Sequence, residues 1–317
     1  MNLKLKTLEY VASKQSLGMS FETEAQILTA FVKQIGDYVS IGTVTSEDVL
    51  LFLNGGKEGS VTLFWHRKHD ALKGFWDFAI RRNYADRSPV PIRRAQMPVP
   101  FIPHVYTLDE LKRLLGGVTT YQKKWLKLEP VTLRTQILLL YGAGLRISEA
   151  LHLTCADVDL IEATLTIRRT KFYKTRRIAL STHLLRVLAD YDQNRREHYL
   201  PREGAAPFFI YKNGEPVKCC VMEDAFLRLR DHVGVQRQNA RYQPRLHDLR
   251  HSFAVHRLTA WYRAGADVQR LLPGLSTHLG HINLSGTQRY LTMTPELLAE
   301  ASLRFESYAQ EVLHEQP

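Results

Sequence analysis

The stretch HDLRHSF, residues 247–253, sets two imidazoles and a guanidinium at a spacing that could serve one reacting group. It follows Pro244 and continues with apolar residues at helical intervals (Leu249, Phe253, Leu258, Trp261) until Gly265 offers a stop. Positions i, i+3 and i+4 share a helix face, so His247, Arg250 and His251 point roughly the same way. A guanidinium binds anions in a planar fork, and an imidazole moves protons near neutral pH. Alone, the stretch reads more simply as a surface arginine beside two partly buried histidines. Metal binding is the other chemistry to weigh, because His247/His251 form HxxxH and His278/His281 form HxxH. The helix lacks the glutamate of HExxH, and no carboxylate or cysteine cluster accompanies it, so no metal ligand and no cofactor is expected.

Four further stretches carry reactive side chains. GLRISEAL supplies Arg146 and Glu149, three apart on a helix that opens after Gly144; by themselves they read as an intrahelical ion pair. TIRRTKFYKTRRIAL places Lys171 and Lys174 between two β-branched runs, in the middle of a hairpin. HLGH supplies His281, and Tyr290 stands nine residues beyond it in TQRYL.

The elements that must position these groups read as two parts. The first is helical: residues 20–35 with Ser20 as cap, 46–56 with Ser46 as cap and Gly55-Gly56 as stop, and 62–82. In the last of these Phe64, Leu72, Phe75, Trp76 and Ala79 form an apolar stripe. Its other face carries Arg67, Lys68, Lys73, Arg81 and Arg82, either a solvated face or a surface for a phosphate backbone. Residues 85–103 hold five prolines, with Arg93 and Arg94 among them, and cannot be a helix interior. They read as a basic linker, which sets the domains at 1–97 and 105–317 with 98–104 between. YTLDEL then restarts a helix, Thr107 capping and Glu110 three residues on. The second part is mainly helical with a small sheet around the 163–181 hairpin.

The formal net charge of +11 over 317 residues favours a polyanionic partner, nucleic acid ahead of an anionic membrane surface. The three cysteines (Cys155, Cys219, Cys220) make neither a disulfide framework nor a zinc pattern, which fits a reducing cytoplasm. The first residues lack the apolar core of a signal peptide, and no run of about 18 apolar residues occurs.

Taken in order, the helix at 65–82, the proline-rich linker, GLRISE, the basic hairpin, HDLRHSF, LGH and the downstream tyrosine resemble the tyrosine recombinase (phage-type integrase) family over essentially the whole chain. The long RAGADVQRLLPGLSTHLGH segment with Pro273 favours a transposon- or mobile-element-borne branch over the Xer type. The resemblance implies a mainly α fold with a small β-sheet: an all-helical, SAM-like core-binding domain, then a larger α+β catalytic domain of the DNA breaking-rejoining fold.

It also implies a set of roles. Tyr290 is the nucleophile that forms a 3′-phosphotyrosyl bond, and Arg146 and Arg250 clamp the scissile phosphate. His247 takes the tyrosine proton, His281 donates to a non-bridging oxygen, and Glu149 and His251 support the site. The general acid for the departing 5′ oxygen is Lys171 by register. Lys174 is the alternative, because Phe172 stands where the family has glycine. The implied partners are duplex DNA with inverted-repeat core sites and a homotetramer on two such sites, with or without sister recombinases, and no membrane. The helical tail after Tyr290 either packs on its own domain or docks on a neighbour, the second being the family precedent. Competing readings are a type IB topoisomerase, which normally has lysine where His247 stands, and a DNA-binding accessory protein without catalysis.

Overall fold

The structure is a computed structural model. It describes residues 1–19, 21–55, 61–92, 94–98, 101–121, 127–168, 175–198, 204–238, 242–281, 283–292, 297–300 and 302–303. The chain divides into two compact units, Met1–Phe101 and Ile102–Pro317.

The first unit contains α1 (Leu3–Ser16), α2 (Glu22–Ile35), α3 (Ser46–Asn54) and α4 (Leu63–Arg81) around one core. Helix α1 was not expected from the sequence. Its buried side chains Leu3, Thr7 and Tyr10 fall at i, i+4 and i+7, but exposed Leu5 and Leu8 blur the stripe. The cap of α3 is Thr45, one residue before the expected Ser46. Its hydroxyl accepts from the Asp48 N–H at 3.2 Å while the Asp48 carboxylate accepts from the Thr45 N–H at 2.9 Å. The expected cap Ser20 lies outside the described residues; α2 starts after Phe21, whose φ is +47°. On α4 the apolar face runs through Trp65, Leu72, Phe75, Trp76 and Ala79, while Phe64, expected on that face, is exposed.

The second unit begins with α5 (Leu108–Tyr121), whose start carries the expected capping box: Thr107 N–H to Glu110 Oε2 at 2.8 Å and Glu110 N–H to Thr107 Oγ1 at 3.1 Å. Then come α6 (Pro130–Gly142), the short α7 (Ile147–Leu151), β1 (Val158–Asp159), β2 (Thr164–Ile167), β3 (Arg176–Ala179), α8 (Thr182–His198), α9 (Cys219–His232), α10 (Asp248–Arg263), α11 (Val268–Leu279) and α12 (Ser285–Gln288). A 3-10 turn, Arg289–Thr292, follows. The sequence reading ran a helix on past α7; the chain instead leaves it at His152 and makes a 3-10 turn at Cys155–Asp157.

The sheet is antiparallel in the order β1-β2-β3, with Leu165 opposite Ile178 and Ile167 opposite Arg176. Leu165, Ile167 and Ile178 face the core, as the period of two requires. Helix α10 packs on α6 and buries Leu249, Phe253, Ala254, Val255 and Leu258. Of the tail beyond Tyr290, Leu297 is fully buried on its own unit and Glu300 pairs with Arg263 at 2.7 Å. Among the described residues no helix is long and apolar enough to cross a membrane.

Gly144, between α6 and α7, brings α10 close. Its φ is +62°, and a Cβ there would collide with the Phe253 ring and meet Leu279 Cδ2 at 3.1 Å. Gly144→Ala is therefore expected to lower the unfolding free energy by roughly 1–3 kcal/mol. A denaturant midpoint unchanged from wild type would contradict this.

Candidate active site

Arg250 lies in the first turn of α10 and is 2% exposed. It is held from behind by two carbonyls: one terminal nitrogen donates to Gly144 O at 2.8 Å, the other to Leu279 O at 2.5 Å. The second also donates to His281 Nε2, 3.2 Å away. Both carbonyls sit where a helix ends or restarts, so their oxygens are not used within a helix. Burial, then the nearby Arg146 charge, pushes the Arg250 pKa down to about 10, so it stays cationic at neutral pH. Its Nη1 also stands 3.8 Å from Glu149 Oε2, and its charge acts on the Tyr290 hydroxyl.

Arg146 precedes α7 and is more open, with its side chain 29% exposed. It donates to Glu149 Oε1 at 2.7 Å and to Gly280 O at 3.1 Å. Glu149 is almost fully buried and accepts four donors. Two come from Arg146, the second being its backbone N–H at 3.0 Å; two come from Arg176, at 3.0 and 2.8 Å. Burial alone would raise the Glu149 pKa, but Arg176, then Arg146, overcome it and hold the carboxyl at about 2.

Arg176 is the residue that sequence reasoning missed. Besides gripping Glu149 with both terminal nitrogens, its Nε donates to His278 O at 2.9 Å, tying β3 to the end of α11. The signal was there: two residues before buried Ile178 on the same strand, Arg176 must face inward, and an inward arginine requires a carboxylate. Gly280, at φ +66°, makes room for it, since a Cβ there would lie 2.7 Å from Arg176 Nη1.

The histidines divide by contact. His281 follows α11, and its Nδ1 lies 2.7 Å from Thr287 Oγ1. With Nε2 accepting from Arg250, Nδ1 carries the proton and donates to Thr287. A donor role toward an anion would require the ring to gain a second proton or change tautomer. Burial, then Arg250 and Arg146, lowers its pKa to about 4. His247, at the start of α10, is lowered to about 4 by burial, then Arg250 and Arg245. Its ring stands edge-on to that of His251, with centroids 5.1 Å apart. His278 is turned elsewhere: its Nε2 donates to Ala143 O at 2.9 Å and its ring stacks on Phe253.

Tyr290 sits in the 3-10 turn, 1% exposed, with its hydroxyl 3.0 Å from His251 Nδ1. Its ring stacks on that of His281 at 6.1 Å. Burial raises its pKa, opposed by Arg250, Arg289 and Arg146. The structure thus brings Arg146, Glu149, His247, Arg250, His251, His281 and Tyr290 into one cluster. Lys171 and Lys174 lie outside the described residues.

Of the residues expected to bind DNA, Arg67, Lys73 and Arg81 are exposed on α4 and Arg82 is exposed at its C-cap. Lys73 pairs with Asp77 at 2.7 Å. Lys68 instead folds back, donating to Phe52 O at 2.7 Å with its ammonium over the Phe52 ring. Arg94 pairs with Asp70 at 2.5 Å. Arg93 lies outside the described residues.

Residues 105–296 match the phage integrase family. A Sinorhizobium fredii protein bearing the name integrase/recombinase y4rE is 31% identical over 94% of each chain. Tyrosine recombinase XerC of Oceanobacillus iheyensis is 28% identical over 90% of this chain and 88% of its own. Among solved structures, the Tn1549 transposon integrase in complex with transposon right-end DNA superposes with a TM-score of 0.69, covering 98% of this chain and all of that one at 18% identity. A lambda integrase dimer bound to a COC′ core site gives 0.62, over 90% of this chain and 96% of that one at 18% identity. At these identities the structures speak for the fold.

Proposed function

This chain belongs to the phage integrase family of tyrosine recombinases and is a site-specific DNA recombinase, and we propose that it cuts and rejoins duplex DNA through Tyr290 without a metal ion, in the integration or excision of a mobile element. One observation carries the reading: Arg146, Arg250, His281 and Tyr290 converge on one spot although Arg146 reaches 134 residues along the chain to Gly280.

The Tyr290 oxygen attacks the scissile phosphorus in line and the 5′ oxygen departs, leaving a 3′-phosphotyrosyl bond. Negative charge grows on the non-bridging oxygens, where Arg146 and Arg250 supply fixed cations that need no reorganisation. His281 adds a hydrogen bond once it carries a proton on Nε2. Glu149 and Arg176 do not reach the substrate; they fix Arg146. The lysine that protonates the 5′ oxygen is Lys171 or Lys174. The proton of Tyr290 must pass to an imidazole, and the resemblance names His247. Since the phosphotyrosine conserves the energy of the broken bond, no ATP is required.

The basic face of α4 serves as a phosphate-backbone contact of the first unit, so that each unit holds the duplex. Inverted-repeat core sites, a homotetramer on two DNA sites and a Holliday junction complete the proposal. The similarity to a transposon integrase in complex with transposon-end DNA supports the mobile-element branch.

The test is a nicked suicide duplex carrying the ends of the element that encodes this chain, incubated with EDTA. Wild type is expected to give a denaturant-resistant protein–DNA adduct, and Tyr290→Phe none. Tight DNA binding with no wild-type adduct would instead favour an accessory role.

A further inference from the structure

We propose that His251, rather than His247, is the catalytic residue that takes the proton from Tyr290 as the tyrosine attacks. This rests on the recombinase reading above and deepens it.

The geometry separates the two imidazoles. His251 Nδ1 is 3.0 Å from the Tyr290 hydroxyl oxygen, inside hydrogen-bond reach of the atom that must lose a proton. No hydrogen bond joins His247 to Tyr290 among the described residues; its ring meets only the edge of the His251 ring. Residue 251 is one step along α10 from Arg250, a rotation of about 100°. That step turns its side chain from the anion-holding fork toward the turn that carries the nucleophile. Both partners are buried, His251 at 7% exposure and Tyr290 at 1%, so bulk water does not compete for the proton.

The groups facing His251 are His247, Arg245 and Arg250 on its own helix and the residues leading into it, and Arg289 and Tyr290 on the 3-10 turn. Burial, then His247 and these cations, keeps the ring neutral, with a pKa of about 3. A neutral ring accepting at Nδ1 carries its hydrogen on Nε2, so the Tyr290 hydroxyl donates to Nδ1. A ring so reluctant to charge is a weak base until substrate arrives. The scissile phosphate brings negative charge to Arg250 and Arg146, offsets the cations that depress the ring, and raises its basicity when a proton must be received. Activation of the nucleophile thereby depends on phosphate being seated.

In the forward step the Oη–H bond breaks and that proton moves to His251 Nδ1. The Oη–P bond forms, the P–O5′ bond breaks, and the 5′ oxygen takes a proton from the hairpin lysine. Rejoining reverses each transfer, and His251 returns its proton to Oη. His247, among Arg250, Arg245 and Arg146, is left to bind a phosphate oxygen.

Adduct formation on the nicked suicide duplex is compared for wild type, His251→Ala and His251→Gln, with and without added imidazole. The alanine variant is expected to slow by about 10²–10⁴-fold, the usual contribution of a positioned proton acceptor, and to regain part of that rate with imidazole. The glutamine variant keeps a hydrogen-bonding group but cannot take a proton, and is expected to stay slow. A 5′-bridging phosphorothiolate, whose leaving group needs no proton, should not rescue it. Wild-type rates in His251→Gln would reduce the residue to a positioning role, and rescue by the phosphorothiolate would place it on the leaving-group side; either overturns the proposal. Should the alanine variant fail to fold, the glutamine variant carries the test alone. Failure of wild type to form any adduct would sink the recombinase chemistry itself, whereas an active wild type with equally active His251 variants would sink only this assignment.

Discussion

Arg250→Lys is expected to form the covalent DNA adduct about 10²–10³-fold more slowly than wild type, the cost of removing one donor from a preorganised anion hole. The size of the effect comes from how the guanidinium is held. Two of its terminal N–H groups are anchored on Gly144 O and Leu279 O, and the plane those bonds define aims the rest of the fork. A lysine ammonium is a point charge on a flexible stem. It cannot span both carbonyls, so it leaves a buried oxygen without a donor or turns away from the phosphate. DNA affinity should move by less than about tenfold, because binding sums over many phosphate contacts and this is one. Single-turnover adduct formation alongside a binding isotherm at matched salt distinguishes the two. A lysine variant that cleaves within about threefold of wild type would mean that charge alone suffices and that the fork geometry contributes little.

Glu149→Gln is expected to lower the unfolding free energy of the second unit by about 3 kcal/mol, in the range for removing one partner of a buried ion pair. Arg146 and Arg176 hydrogen-bond this carboxylate and Arg250 stands 3.8 Å from it, so a neutral amide leaves Arg176, itself only 10% exposed on its side chain, without its counter-charge. The folded pKa of about 2 lies below the ordinary 4.5 of a glutamate. Its contribution is therefore fully present above about pH 4.5 and is lost as the pH falls through about 2. The histidines act earlier. His247 and His281 are lowered to about 4 and His251 to about 3 from an ordinary 6.5, so the unfolded chain binds protons first and stability declines from about pH 6.5 downward. Urea melts across this range should show the histidine phase in both proteins and a smaller carboxylate phase in Glu149→Gln, because Asp157, held low against burial by Arg168, still titrates there. A wild-type and variant difference that persists undiminished at about pH 2 would refute the assignment of that phase to Glu149.

Local periodicity made much of this molecule legible. The Thr107 capping box, the long α4 helix, the hairpin and the HDLRHSF helix all follow from signals within a dozen residues. Two kinds of feature did not. Helix α1 is hidden from the pattern because exposed leucines interrupt its buried set, so periodicity alone does not choose a face. Contacts between distant segments were also out of reach. Nothing local says that Arg176 meets Glu149 across 27 residues, or that His251 meets Tyr290 across 39. The types and order of the site residues could be read; which imidazole stands against which hydroxyl could not. The cap of α3 shows the intermediate case, since Thr45 and Ser46 both suit a helix start and the Asp48 carboxylate decides between them.

The bridge from Arg176 to Glu149 and to the carbonyl of His278 also bears on when during synthesis the site can assemble. The site draws on residues 146–149, 176, 250, 281 and 290, so it depends on contacts that close loops of up to 134 residues. Such non-local contacts form late, after the loop entropy has been overcome. A ribosome that has released only the first unit has exposed a basic helix with neither Arg146 nor Arg250. One that stalls before α11 has emerged offers Arg146 and Arg250 without the backbone oxygens of Leu279 and Gly280 that fix them, and without Tyr290. On the proposed reading, a chain that ends before α11 lacks both the fixed arginines and Tyr290, and is expected to form no covalent DNA adduct.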